Sequence, residues 1–265
     1  MTIDHLERIK RALEAASAVV SQLCAKVLKV EYKRGQDPVT LADTAINEVL
    51  RKILPRNGEG WLSEETSDDL HRLECRRVWI VDPIDGTREF VSGIPEWCIS
   101  IGLVEDGVAI AGGICNPATG EMFLGSLETG LSYNGQPAHP SSRCTLEGAT
   151  VLASRSEMKR GQWQRFQGIG LQIKPVGSVA YKLALVAAGL ADATWTFVPK
   201  HEWDVAAGVA LVHAAGGFVR DMNNAVIRFN SATPRLPGLV AGPQSLLKPI
   251  EALLNLPRQS SLQSG

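Results

Sequence analysis

The sequence lacks an excess of positive charge. Its 27 Lys and Arg residues face 28 Asp and Glu residues, which gives a formal net charge of -1 at pH 7. A protein that follows a nucleic-acid backbone needs a basic arm or stripe, and the sequence contains neither. We therefore expect no nucleic-acid partner, and any anion that the protein binds must be held by a local site.

The sequence also lacks an apolar run that could cross a bilayer. The longest apolar stretches, 108–115 and 182–193, are shorter than the roughly 20 residues that a membrane helix requires. The first ten residues contain no hydrophobic signal core. These features predict a cytoplasmic protein without a membrane partner.

Cysteines are few and widely spaced. The five lie at positions 24, 75, 98, 115 and 144 and form no C-x-x-C pair. This spacing argues against a disulfide framework and against a thiolate zinc site. We expect buried free thiols.

The first half of the chain shows two helical patterns followed by strand patterns. Apolar residues at three- and four-residue steps predict helices over 4–25 and about 41–53, the second capped by Thr40 and carrying Asp43 in its first turn. A β-rich run at 78–81 is expected to end at Pro83, because proline cannot donate to a central ladder. Runs at 97–104, 108–115 and 121–126 predict an antiparallel meander.

The second half alternates short β-like runs with helical patterns. A strand is expected from Thr150, and helices are expected at about 178–190 and 204–215. We therefore divide the chain into an α+β half at 1–143, an α/β half at 144–257 and a frayed tail at 258–265. With 45% hydrophobic residues, such a chain can bury a large core.

The segment Asp82-Pro83-Ile84-Asp85-Gly86-Thr87 places two carboxylates three residues apart at a strand end. Hard divalent cations such as Mg²⁺ prefer oxygen ligands. If a helix follows, its first N–H groups would point at an anion, so that metal and phosphate would share one corner. The alternative is an ordinary polar turn, since Asp, Pro and Gly are common turn formers.

Two further acidic segments accompany this one. Glu64 lies within Trp61-Leu62-Ser63-Glu64-Glu65, and Asp204 lies within Glu202-Trp203-Asp204-Val205-Ala206-Ala207-Gly208. In both, apolar neighbours draw an acid toward the interior, where a carboxylate needs a partner. For Asp204 the alternative role is that of a helix N-cap.

These three segments, in this order and spacing, resemble the inositol monophosphatase family of Mg²⁺-dependent, often lithium-sensitive phosphatases. The resemblance extends over roughly residues 37–218. It implies a layered αβαβα sugar-phosphatase fold of mixed α+β and α/β class, with an antiparallel sheet in the first half and an α/β second half. It also implies a small phosphorylated metabolite as substrate and a homodimeric assembly.

The resemblance assigns five metal ligands and implies two or three Mg²⁺ ions. Glu64 is expected to bind one metal and to orient the attacking water. Asp82 should bridge two metals, and the carbonyl of Ile84 should complete the first. Asp85 and Asp204 should hold the second.

The resemblance also assigns the remaining catalytic groups. Thr87 and Asp43 are expected to form a hydrogen-bonded pair that positions or deprotonates the nucleophilic water. The backbone at Gly86 and Thr87 is expected to bind phosphate. His201 is a candidate substrate contact, either as a cation or as a leaving-group donor, although a lone surface histidine is the simpler interpretation.

The choice of substrate depends on other residues. Arg88-Glu89-Phe90 after the D-G-T resembles the G-T-K-E-F form of the 3′(2′),5′-bisphosphate nucleotidase branch, whereas inositol-specific members usually read G-T-T-N-F. Arg155 and Lys182 could supply cations for a second phosphate. Phe197 occupies the position where inositol-specific members carry a carboxylate.

We therefore expect a bisphosphate nucleotidase first, which converts adenosine 3′,5′-bisphosphate to AMP and phosphate. An inositol-1-monophosphatase comes second, and histidinol or sugar phosphates remain open. A non-catalytic regulatory binding protein of the same fold is the alternative from another class.

Overall fold

The computed structural model describes residues 2–27 and 38–257, so Asp37 and the tail at 258–265 lie outside it. Within these residues the helices are α1 (Thr2–Val27), α2 (Pro38–Ile53), α3 (Thr87–Val91), α4 (Arg155–Lys159), α5 (Val179–Ala187), α6 (Glu202–Ala214) and α7 (Leu247–Leu254). None of these helices is both long enough and apolar enough to pass through a bilayer.

The first sheet has seven strands in chain order, namely β1 (Glu59–Ser63), β2 (Arg77–Asp85), β3 (Cys98–Glu105), β4 (Val108–Asn116), β5 (Glu121–Ser126), β6 (Gly130–Tyr133) and β7 (Gln136–Ala138). Strands β2 to β7 pair antiparallel, so the predicted meander is confirmed. Strand β1 pairs parallel with β2, which the sequence pattern did not predict.

Strand β2 continues through Pro83 instead of ending there. Asp82 is opposite Ser100 and Asp85 is opposite Cys98, so three steps along β2 match two along β3. The extra residue forms a bulge, where a missing N–H donor does not break the ladder. The prediction that Pro83 ends the strand was therefore wrong, and the bulge places Asp85 beside Asp82.

The second sheet has five strands, namely β8 (Thr150–Ser154), β9 (Gln172–Val176), β10 (Ala193–Thr196), β12 (Gly217–Asp221) and β14 (Leu239–Pro243). Their order across the sheet is β12-β14-β10-β8-β9. The pairs of β8 with β9 and with β10 are parallel, in keeping with an α/β half. Two short strands, β11 (Lys200–His201) and β13 (Arg235–Leu236), pair beside α6.

The elements stack in alternating helical and sheet layers. Helices α1 and α2 cover one face of the first sheet, and α5 and α6 lie between the two sheets. Helices α4 and α7 contribute to the apolar cluster on the far face of the second sheet. Because the buried cluster around α6 includes Ile114 and Phe123 as well as Leu183 and Val209, the core passes across the predicted 143/144 boundary, and the division into halves stays a prediction.

Two predicted helix starts were wrong. Helix α2 begins at Pro38, so Thr40 is not its cap and Asp43 lies in the second turn. A proline at the first helical position loses no hydrogen bond, which explains the earlier start. Helix α6 begins at Glu202 with His201 as its N-cap residue, so Asp204 is the third residue of the helix instead of its cap.

The cysteines only partly meet the expectation of burial. Cys98 and Cys115 are buried free thiols, whereas Cys75 is half-buried and Cys144 is exposed. The side chain of Cys24 lies outside the described residues.

Candidate active site

Three carboxylates from two distant segments converge where β2 ends. Asp82 and Asp85 come from the bulged end of β2, and Asp204 comes from the first turn of α6, which packs across β2 and β3. One carboxylate oxygen of each lies within 4.8 Å of the other two. This arrangement can hold a cation.

Asp82 is the most buried member, with 2% of its surface exposed. Its Oδ1 accepts a hydrogen bond from the N–H of Ile84 at 3.0 Å. Burial raises the pKa of Asp82 well above its usual range, and Asp85 and the other nearby carboxylates raise it further. The ionised form of Asp82 therefore needs a positive partner.

Asp85 is held by the N-terminus of α5. Its Oδ2 accepts one hydrogen bond from the Ser178 hydroxyl and another from the N–H of Ala180, both at 2.6 Å. The Ser178 hydroxyl oxygen in turn accepts from the N–H of Tyr181 at 3.0 Å. These bonds fix the orientation of the Asp85 carboxylate.

Asp204 has a structural bond as well as a place in the cluster. Its Oδ2 accepts from the N–H of His201 at 2.8 Å, which ties the first turn of α6 together. Burial, and then the charge of Asp85, raise the pKa of Asp204 to about 7. The cap-like contact and the carboxylate cluster thus involve the same side chain.

Glu64 follows directly after β1 and is exposed, and it does not belong to the group of three. Desolvation, and then the charge of Asp85, raise its pKa, so it lies within electrostatic reach of the cluster. Asp43 is buried on α2 and is among the groups that raise the pKa of Asp82. Both acids therefore lie near the three carboxylates.

The Thr87 hydroxyl donates to the carbonyl oxygen of Ile84 at 3.2 Å. The predicted Thr87–Asp43 pair stays a prediction. Gly86 adopts φ of 96°, and a Cβ there would lie 3.0 Å from the carbonyl oxygen of Glu96. Glycine is therefore required where the chain turns into α3, which begins at Thr87.

A cleft of about 300 Å³ borders the carboxylates. Four basic side chains line it, those of Arg88, Arg155, Lys182 and Lys200. Arg88 is exposed, and Lys200 is half-buried. Lys200 was not identified in the sequence, because it becomes part of the cleft only through the short β11–β13 pair.

Arg155 is engaged by the protein itself. Its Nε and Nη2 bind the two carboxylate oxygens of Glu96 at 2.6 and 2.5 Å. Glu96 also accepts from the N–H of Gly177 at 2.8 Å. A bidentate pair of this kind leaves Arg155 less available to a second phosphate than the sequence suggested.

Lys182 is also engaged. Its side chain is buried, and Nζ donates to the backbone carbonyls of Val176, Gly177 and Ser178 at 3.3, 3.1 and 2.9 Å. An ammonium has three N–H groups, so this set uses them all. These bonds give Lys182 a role in holding the 176–178 turn, and its predicted direct contact with substrate stays a prediction. Burial lowers the pKa of Lys182 to about 8.

His201 and Phe197 lie away from the lining of the cleft. His201 is exposed and stacks on Trp203 at a centroid distance of 4.4 Å. Phe197 stacks on Phe166 within the cluster of the second sheet, and the guanidinium of Arg165 lies 4.3 Å from its ring. This placement leaves unchanged the prediction drawn from Phe197, that the chain lacks the carboxylate of inositol-specific members at this position.

The donor set fits magnesium. Carboxylate oxygens are the hard ligands that Mg²⁺ prefers, and clustered acids that raise the pKa of one another are stabilised by a divalent cation. Asp82, Asp85 and Asp204 supply such oxygens around one point.

The chain matches the sequence profile of the Inositol monophosphatase family over residues 4–255. It belongs to the inositol monophosphatase family. Members of this family are metal-dependent phosphatases, so the chain is a phosphoric monoester hydrolase. The family resemblance inferred from the three acidic segments is thereby confirmed.

Relatives within the family carry different names. An inositol-1-monophosphatase of Mesorhizobium japonicum is 34% identical over 210 residues, which cover 74% of this chain and 76% of that protein. A Nus factor SuhB of Xylella fastidiosa is 32% identical, with 88% of each chain covered. The crystal structure of CysQ from Bacteroides thetaiotaomicron has a TM-score of 0.77 and 25% identity, covering 91% of this chain and 97% of that one. The layered αβαβα fold is thus confirmed.

Proposed function

We propose that the protein hydrolyses a small soluble phosphate monoester with Mg²⁺ held by Asp82, Asp85 and Asp204, assisted by Glu64 and the Ile84 carbonyl. The convergence of the three carboxylates at a cleft that also carries four basic residues is the observation that supports this function best. Two or three Mg²⁺ ions bound there would neutralise the phosphoryl oxygens and lower the pKa of the attacking water.

The protein's own groups position the substrate. The backbone N–H groups of Gly86 and Thr87, where α3 begins, are the donors proposed to bind a phosphate oxygen. Glu64, Asp43 and Thr87 are the groups proposed to orient the attacking water and to accept its proton.

We further propose that the leaving group carries negative charge of its own. Arg88 and Lys200 line the cleft beside the carboxylates. These charges support adenosine 3′,5′-bisphosphate as the substrate, with AMP and phosphate as products. The G-T-R-E-F segment and the likeness to CysQ point the same way.

Inositol 1-phosphate is the second candidate. Its support is the 34% identity to an inositol-1-monophosphatase, together with the internal pairing of Arg155 and Lys182, two cations first assigned to a second phosphate. Because one relative is named Nus factor SuhB, a regulatory binding function is the alternative from another class.

Phosphate release from a substrate panel tests these proposals. The panel contains adenosine 3′,5′-bisphosphate, inositol 1-phosphate, histidinol phosphate and fructose 1,6-bisphosphate, each with and without Mg²⁺, and an Asp82→Asn preparation controls for contaminating phosphatases. We expect Mg²⁺-dependent release, fastest from the nucleotide. Fastest release from inositol 1-phosphate would replace the first candidate by the second. No phosphate release from any substrate with Mg²⁺ bound would favour the regulatory function.

The family resemblance also supports a cytoplasmic homodimer that lithium inhibits. Light scattering of the purified protein measures the assembly state, and titration of the phosphatase assay with LiCl measures the inhibition.

A further inference from the structure

A second cavity lies at the opposite end of β1 and β2 from the carboxylates. It has a volume of about 520 Å³, which is within the range of small-molecule sites. Its walls come from the start of α1 at Asp4 and His5, from the 56–59 loop, and from Arg76 and Arg77 at the start of β2. We refer to it as the amino-end cavity.

The amino-end cavity is separate from the active site. Strands β1 and β2 are parallel, with this cavity at their first residues and with Glu64 and Asp82 at their far ends. From Arg77 to Asp82 the strand advances five residues, or roughly 17 Å at about 3.3 Å per residue. A ligand in one site therefore does not occupy the other.

His5 is the unusual member of the wall. The side chain is buried, with 6% exposed, and within the described part of the chain neither ring nitrogen has a hydrogen-bond partner. Burial, and then the charges of Arg77 and Arg8, lower the pKa of His5. The neutral ring thus has one buried donor and one buried acceptor without partners. A ligand that supplies an acceptor would remove the free-energy cost of the unpaired N–H donor.

The acids in the wall are already satisfied. Both carboxylate oxygens of Asp4 bind Arg56, at 2.6 and 2.8 Å. Those of Glu59 accept from Arg8, from the indole of Trp79 and from the N–H of Arg56. The acceptors that belong to the cavity are therefore engaged by the protein.

The guanidiniums retain unused hydrogen-bonding capacity. Arg77 binds Glu105 through Nε at 2.9 Å, and Arg76 binds Asp106 through Nε at 3.2 Å and pairs with Glu105 through Nη2 at 3.4 Å. A guanidinium carries five N–H groups, so Arg77 keeps four, and Arg56, which gives two to Asp4, keeps three. The walls of the cavity therefore have more free donors than free acceptors.

We propose that the amino-end cavity binds a small metabolite through an oxyanion, carboxylate or phosphate, that accepts hydrogen bonds from His5 and from the guanidiniums of Arg56 and Arg77. An oxyanion supplies only hydrogen-bond acceptors, and the cavity wall has fewer free acceptors than free donors. A planar guanidinium binds an oxyanion through two parallel hydrogen bonds. This site goes beyond the proposed phosphatase function and does not depend on it.

NMR of the ¹³C-labelled histidine rings in the full chain with Mg²⁺ tests the proposal. The chain has five histidines, so the rings can be assigned from single variants, that of His5 from His5→Gln. Inorganic phosphate and succinate are titrated separately as the phosphate and carboxylate probes. We expect one or both to shift the His5 resonance saturably, with a dissociation constant of about 1 mM or below. His201 reports on the catalytic side, and His213 serves as an internal reference.

Arg56→Met and Arg77→Met should each weaken this binding about tenfold or more, the loss of one charged hydrogen bond. Arg51→Met, an exposed arginine on α2 outside the cavity, should leave it unchanged. Circular dichroism confirms that the variants fold. A His5 resonance that neither probe moves up to about 20 mM, or binding retained in both cavity variants, would overturn the proposal. Activity is not part of the readout, so this result is independent of the substrate panel.

Discussion

Ser178 donates its hydroxyl hydrogen to Oδ2 of Asp85 at 2.6 Å while its own backbone has φ of 40°. A non-glycine residue in the left-handed region is held there by its surroundings. The ammonium of Lys182 binds the three carbonyls of the same turn. A buried cation on α5 thus stabilises the backbone that orients a carboxylate of the proposed metal site.

Ser178→Ala should weaken Mg²⁺ binding about tenfold, because partners that orient a metal ligand typically contribute about 10- to 100-fold in affinity. Isothermal titration calorimetry with MgCl₂ measures the change. Ser245→Ala is the matched control, since its hydroxyl binds a carbonyl far from the cluster. Wild-type affinity in Ser178→Ala would show that the hydroxyl does not orient Asp85 for metal binding.

Lys182→Met and Lys200→Met should have different effects on catalysis. Loss of Lys182 disturbs the turn behind Asp85, so activity on bisphosphates and monophosphates should fall by the same factor. Loss of Lys200 removes a charge in the cleft, so KM should rise about tenfold or more for the bisphosphate only. Lys248→Met, an exposed lysine on α7, is the control. A larger loss of activity on the bisphosphate in Lys182→Met would show that this residue contacts the substrate directly.

Asp82→Asn should abolish nearly all turnover and leave the fold intact. The substitution removes a buried charge that four neighbouring acids disfavour, so the metal-free variant should also unfold at a higher temperature than the metal-free wild type. Kinetic assays with saturating Mg²⁺ and thermal unfolding in EDTA measure the two effects. Near-normal turnover would exclude Asp82 from the metal site.

The metal-free protein should lose stability as the pH rises. The pKa of Asp204 is about 7 in the folded chain and 3.8 without the fold, so the folded state holds its proton more tightly between these values. The free energy of unfolding therefore falls through this window, by at most about 4 kcal/mol from this group. Urea unfolding in EDTA at about pH 5 and about pH 8 measures the fall, which Asp204→Asn should reduce. Equal slopes in both proteins would contradict a raised pKa at Asp204.

The sequence predicted the local features of the fold well. The meander from β3 to β5 follows from apolar runs joined by short turns such as Glu105-Asp106-Gly107, and these signals are local. The passage of β2 through Pro83 was not predictable in this way, because the bulge depends on pairing with β3. The parallel partner β1 likewise depends on a long connection.

The acids of the candidate site were identifiable from the sequence because buried carboxylates are rare and stand in distinctive segments. The roles of Arg155, Lys182 and Phe197 were not, since each is set by a contact that the residue type does not reveal: with Glu96, with the 176–178 carbonyls and with Phe166. For the first two, residue type alone predicted a charge near the cleft but not which partner that charge binds.

The most direct test of the metal site is anomalous diffraction from crystals grown with Mn²⁺ in place of Mg²⁺. Anomalous peaks within bonding distance of the carboxylates of Asp82, Asp85 and Asp204, roughly 2.0–2.2 Å from their oxygens, are expected. Mn²⁺ bound elsewhere, with these three side chains making no contact to it, would contradict the account.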